Sequence, residues 1–232
     1  GLNIDEDLSE VLALAHDLGH PPFAHSGEDV LDNCMKGYDG FDHNAQTLRI
    51  LTTLEERYPL FNGLNLTWET LEGIVKHNGP LKNPHIIIKD FNNLYNLELN
   101  TFPSLEAQIA SLSDDIAYNN HDIDDGFRAG FINLSDLKKI EFLSEIIEEI
   151  LLEFKNIDDY MVVKELIRRL IGLMVDDLIN ETKKNLQSLC PNNSKDIMQS
   201  DHLTASFSKF FIKQDKTIRN FLKSRVYEHE SI

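Results

Sequence analysis

Apolar residues recur at helical spacing along most of the chain, and no period-two alternation persists. Leu8, Val11, Leu12 and Ala15 predict a helix from Asp5 to Leu18, with acidic residues near its start and Gly19 and Pro21-Pro22 as its stop. A short helix follows from Ser26 to Met35 and closes at Gly37. Ala45, Leu48, Ile50, Leu51 and Leu54 predict a helix from Asp42 to Tyr58, before Pro59. Thr67 is the predicted N-cap of a helix to about His77, ended by Asn78-Gly79-Pro80. Residues 79–103 carry three prolines and many asparagines and read as the least regular part; "HIIIKDF" within them suits a short strand. Ser104 then caps a helix to about His121, and Ser135 caps another segment. The stretches 140–154 and 159–189 are long and amphipathic, "CPNNSKD" reads as a loop, and 204–227 forms a final helix. The expected fold class is all-α.

The 232 residues suffice for one large domain or two small ones, and 41% apolar with 26% charged residues is ordinary for a folded chain. There is no apolar run of eighteen residues, so no membrane span is expected. The chain begins at Gly1 rather than Met, and a preceding segment is therefore expected. Cys34 and Cys190 lie far apart, which makes neither a disulfide framework nor a zinc pattern and suits a reducing cytoplasm. A net charge of −17 repels nucleic acid and anionic membranes. An anionic substrate would need a local cluster of metal and basic groups to overcome that field.

Such a cluster stands at "AHDLGHPPFAHSGEDVLD". His16, Asp17, His20, His25 and Glu28 fall within thirteen residues, on either side of a proline break. Neighbours on a helix point about 100° apart, so His16 and Asp17 can grip one ion beside the helix end. Imidazole with carboxylate suits Mn, Fe, Co, Ni or Zn, and carboxylate alone also suits Mg. A doublet by itself equally suits a surface helix end, where a cationic histidine meets the C-terminal dipole. A second cluster lies in "SDDIAYNNHDIDDG". Asp114, Tyr118, His121 and Asp125 share one helical face, with Asp122 at its margin, and they continue the stripe begun by Leu105, Ile109 and Leu112. A helix passing from core to site has this pattern; so does a solvated face.

The segments "LALAHDLGHPPFAHSGE", "FDHNAQTLRIL" and "SLEAQIASLSDDIAYNNHDIDDGFRAG", in this order, resemble the HD-domain deoxynucleoside triphosphate triphosphohydrolases, the deoxyguanosine triphosphatase-like proteins. The resemblance covers residues 1–134 and implies an all-α HD-domain helical bundle there, with 135–232 as a helical C-terminal appendage packed on it. It implies a divalent metal ion held by His16, Asp17 and Asp114, and a catalytic His25 supported by Glu28. His20 would approach the phosphates, His43 would face the phosphates or the sugar, Tyr118 would lie under the deoxyribose, and Asp122 would bond its 3′-hydroxyl. Arg49, Lys76 and Lys82 are weaker candidates for triphosphate contacts.

The implied reaction splits a deoxynucleoside triphosphate into deoxynucleoside and inorganic triphosphate. The implied setting is a cytoplasmic homo-oligomer, with nucleotide effectors in some members. The family motif also begins with an upstream histidine, and residues 1–15 contain none. Truncation and degeneration both explain this. Another HD-type phosphohydrolase and a catalytically inactive nucleotide-sensing module therefore stand as the alternatives.

Overall fold

The computed structural model describes residues 2–229. Eleven α-helices occur among them: α1 (Glu6–Ala15), α2 (Ala24–Cys34), α3 (His43–Arg49), α4 (Trp68–Lys76), α5 (Ile86–Leu94), α6 (Leu105–Arg128), α7 (Leu134–Leu137), α8 (Glu141–Glu153), α9 (Asp159–Leu189), α10 (Ser194–Met198) and α11 (Lys209–Leu222). No β-strand is present among the described residues, only an isolated bridge between Tyr58 and Phe61, and the fold is all-α. None of these helices is long and apolar enough to cross a membrane.

The chain forms two compact units. The first comprises residues 1–111 and 186–205. Its helix starts follow from local chemistry. The Asp5 carboxylate accepts the Leu8 N–H at 2.9 Å, Asp42 accepts the Ala45 N–H at 2.7 Å, and the Thr67 hydroxyl accepts the Thr70 N–H at 3.3 Å. Leu12, Ala15, Leu51, Ile74, Ala107 and Ala110 pack as one apolar cluster, and Ala45, Leu48, Leu71, Val75, Ile88, Leu97 and Leu99 as a second. Gly73 lets α4 lie close against α1, because a Cβ there would stand 2.6 Å from a Leu12 methyl.

The second unit comprises residues 112–185 and 206–232. Its core joins Ile116 and Ile123 of α6 to Leu143, Ile147 and Ile150 of α8, Val162, Leu166 and Leu170 of α9, and Phe211, Ile218 and Leu222 of α11.

Several expected boundaries shift. α1 ends at Ala15, which frees His16 and Asp17 from the helix proper. The helix expected over 42–58 stops at Arg49 and continues as a wider π turn, Ile50–Leu54. The expected strand "HIIIKDF" is instead α5. Ile88 is buried, with Ile87 and Phe91 packed beside it, so these side chains share a helical face despite the β-propensity of three isoleucines in a row. Asn133, not Ser135, caps α7, in a capping box with Asp136. The end of "CPNNSKD" begins α10, α6 runs on to Arg128, and α11 starts at Lys209 under a Ser208 cap.

Candidate active site

The end of α1 carries the first two site residues. His16 is its C-cap and donates its Nδ1–H to the Ala13 carbonyl at 3.0 Å, so Nε2 presents the ring's lone pair. Asp17 Oδ1 lies 3.4 Å from that Nε2 and 3.5 Å from Nε2 of His20. The turn that follows is clamped by one hydroxyl. Thr47, fully buried on α3, accepts the Gly19 N–H at 2.9 Å and donates to the His16 carbonyl at 3.2 Å. Gly19 is required there, because a Cβ would stand 2.1 Å from the His43 carbonyl oxygen.

Three more histidines gather around this turn. His20 stacks on His43 at 4.0 Å between ring centroids, and His25 meets the His20 ring edge-on at 4.7 Å. Phe23 and Ala24 both adopt left-handed backbone, φ 70° and 46°, at about 1–2 kcal/mol per residue, and so place His25 in the first turn of α2. The Glu28 carboxylate takes the His43 backbone N–H at 2.7 Å and the His43 Nδ1–H at 2.9 Å. His25 Nδ1 stands farther from it, at 3.5 Å. Glu28 thus holds His43 more closely than the residue it was expected to support. Burial pushes the Glu28 carboxyl up, but the His43 hydrogen bonds and ring outweigh this and leave it below the usual range. Burial, then the neighbouring His43, push His20 down.

The ligand chemistry fits a divalent ion. Ligand atoms of Asp17, His20 and His43 lie within 4.8 Å of one another, as do those of His20, His25 and Glu28. Mixed imidazole and carboxylate donors favour Mn, Fe, Co, Ni or Zn over an all-oxygen Mg or Ca cage.

The remaining expected residues lie on α6 in the second unit. Asp114, Tyr118 and Asp122 follow one another at four-residue spacing, and Tyr118 is 44% exposed. The Tyr227 hydroxyl donates to the Asp122 carboxylate. Burial and that carboxylate push the Tyr227 phenol up. Arg219 bridges Asp115 at 2.9 Å and Asp215 at 2.8 Å.

One weaker candidate is corrected. Lys76 is fully buried, ion-paired to Glu72 at 2.9 Å, and donates to Thr101 Oγ at 2.8 Å and to the carbonyls of Glu98 and Phe102. It cannot reach a triphosphate. Arg49 is exposed on α3. Lys82 lines another cavity, of about 630 Å³, with Lys89.

Sequence reasoning missed Thr47, His77, Arg219 and Tyr227. His77 alone had a local signal, a histidine directly before the helix stop Asn78-Gly79-Pro80. Its ring stands 5.1 Å from that of His16, and burial pushes it down to about 4.

The HD domain family model matches residues 1–119. A deoxyguanosinetriphosphate triphosphohydrolase-like protein of Bradyrhizobium sp. (strain ORS 278) is 49% identical over the whole chain, which covers 60% of that relative. Proteins of the same name from Brucella suis (strain ATCC 23445 / NCTC 10510) and Parvibaculum lavamentivorans are 47% and 46% identical, over 100% and 97% of this chain and 60% and 59% of theirs. The chain therefore spans about 60% of the length of the curated relatives it matches. The matched residues make up more than half of the chain and include the histidine–aspartate doublet at the end of α1, and the chain belongs to the HD-domain family.

Proposed function

We propose that the protein is a metal-dependent phosphohydrolase that splits deoxynucleoside triphosphates into deoxynucleoside and inorganic triphosphate. The observation that carries this reading is the convergence of His16, Asp17, His20, His25, Glu28 and His43 within one unit. The names of the relatives support it.

His16, Asp17 and Asp114 are the proposed ligands of the ion. When bound, a divalent ion supplies Lewis-acid neutralisation of the charge that grows on the α-phosphate oxygens. The reaction adds water to the α-phosphorus and breaks its bond to the 5′-oxygen, and that oxygen must gain a proton. His25 is the proposed proton carrier: its side chain is 67% exposed and open to a ligand, and its Nδ1 faces Glu28. His20 and His43, held flat against each other, are the proposed phosphate contacts. Tyr118 and Asp122 are the proposed sugar contacts, the ring against C2′ and the carboxylate at the 3′-hydroxyl. The reading assigns the metal and nucleotide chemistry to residues 1–134 and treats 135–232 as its helical appendage. It extends to a cytoplasmic homo-oligomer that responds to a nucleotide effector.

The test is product analysis on the full-length protein with each of the four dNTPs, before and after chelation and with Mn²⁺ restored. Metal-dependent release of triphosphate is expected. Release of orthophosphate or pyrophosphate instead would indicate a different HD-type phosphohydrolase. Nucleotide binding without any product would indicate a sensing module.

A further inference from the structure

His77 repeats the local construction of His16. Each is the C-cap of its helix, His16 on α1 and His77 on α4. Each donates its Nδ1–H to the carbonyl three residues earlier, Ala13 at 3.0 Å and Ile74 at 2.7 Å. The rings meet edge to face, with centroids 5.1 Å apart and planes at 72°. His77 differs in what its second nitrogen does. Nε2 accepts a hydrogen bond from the Asn78 side-chain amide at 2.9 Å. Both nitrogens are thus engaged, and the residue is only 7% exposed. This imidazole has no atom left to ligate an ion or to carry a proton.

We infer that His77 is a positioning residue whose ring sets the direction of His16 Nε2. The Ala13 hydrogen bond fixes the His16 ring at Nδ1. A flat, doubly hydrogen-bonded wall at edge-to-face distance limits rotation of the ring about that atom. The wall is itself rigid, since Ile74 and Asn78 fix the His77 ring from both nitrogens. His43 stands on its other side, with centroids 6.3 Å apart. The same imidazole therefore backs the metal-ligand and phosphate-side histidines together. The inference rests on the reading of His16 as a metal ligand. Partners that orient a ligand in this way typically contribute about 10–100-fold to metal affinity.

The test is Co²⁺ titration of the full-length protein, read by the visible absorption of the bound ion and by its dissociation constant, beside thermal denaturation. His77→Ala removes the wall and should weaken Co²⁺ by about 10–100-fold and alter the spectrum. His77→Phe keeps the flat ring but loses both hydrogen bonds. It should lower thermal stability yet hold Co²⁺ within about threefold of wild type, with an unchanged spectrum, well inside the loss typical of a missing outer partner. A merely structural histidine would move stability alone. Unchanged affinity and spectrum in His77→Ala would overturn the inference, and so would equal loss of Co²⁺ in the Phe and Ala variants. Should His77→Ala fail to fold, His77→Leu fills the volume without a flat edge and is read the same way. Absence of Co²⁺ binding by the wild type would overturn the ligand reading of His16 and this inference with it, whereas wild-type binding retained in the variants overturns this inference alone.

Discussion

His20 lies flat on His43, with ring planes 10° apart, and the Glu28 carboxylate holds His43 through both its backbone N–H and its ring. Glu28 is therefore the foundation of the stack. Glu28→Gln should destabilise the protein by about 1.5–3 kcal/mol, the typical worth of hydrogen bonds to a charged group. It should also lower turnover more than tenfold, an order-of-magnitude expectation for a misplaced site. Urea denaturation and steady-state triphosphate release check both. A variant normal in both would show that the stack forms without this carboxylate.

His25 is mostly exposed and lies outside both apolar clusters of its unit. His25→Ala should leave the fold and substrate affinity intact and reduce kcat by about 10²–10⁴-fold, the usual range for a proton-transfer group. Turnover within tenfold of wild type would exclude that role.

Sugar selection should reside on α6. Four residues of helix advance about 6 Å, so Tyr118 and Asp122 stand one and two turns beyond Asp114. Tyr118→Ala should raise kcat/KM for a ribonucleotide relative to its deoxy partner. Asp122→Asn should weaken both, through the 3′-hydroxyl. The ratio of the two kcat/KM values is the measurement, and an unchanged ratio in Tyr118→Ala would make the tyrosine a packing residue.

The Glu72–Lys76 pair is buried on both sides. Lys76→Met strands a buried carboxylate and should cost about 3–5 kcal/mol, whereas the double variant Lys76→Met/Glu72→Leu should recover most of that loss. Chemical denaturation of the three proteins distinguishes the pair from a generic packing defect.

Glu165 hydrogen-bonds Arg168 and Arg169, and these bonds bring its carboxyl down to about 2. The unfolded chain binds its proton at the ordinary, higher value. The contribution is therefore complete above about pH 4.5, the usual glutamate range, and is lost as pH falls toward 2. Glu165→Gln should lower stability at neutral pH, where the contribution is complete, and the deficit should fade as pH falls toward 2, so that the acid limb of a stability-against-pH curve flattens.

The helical class was legible because apolar spacing is a local property, and the caps at Thr67 and Ser104 were legible for the same reason. The doublet and its neighbouring histidines could be read from their density in the chain. The partners of those residues could not. Thr47 reaches His16 across 31 positions and His77 lies in a different helix, so only folding reveals either contact. Lys76 was misread because a lysine's burial depends on partners such as Thr101, 25 positions away. The isoleucine run at α5 failed for another reason: β-branched propensity is weak evidence when the packing face decides the outcome.

Gly19 narrows the routes by which this site can be altered. A side chain at that position would overlap the His43 carbonyl, so no other amino acid fits without parting the end of α1 from α3. The His16 carbonyl and the Gly19 N–H both end on Thr47, and that parting would undo the two bonds at once. Ligands and acid–base groups can be exchanged singly, leaving an altered but assembled pocket. The glycine cannot be exchanged in that stepwise way. A lineage that abandons the chemistry can shed its histidines and still keep Gly19, so among descendants the glycine would report shared architecture rather than shared activity.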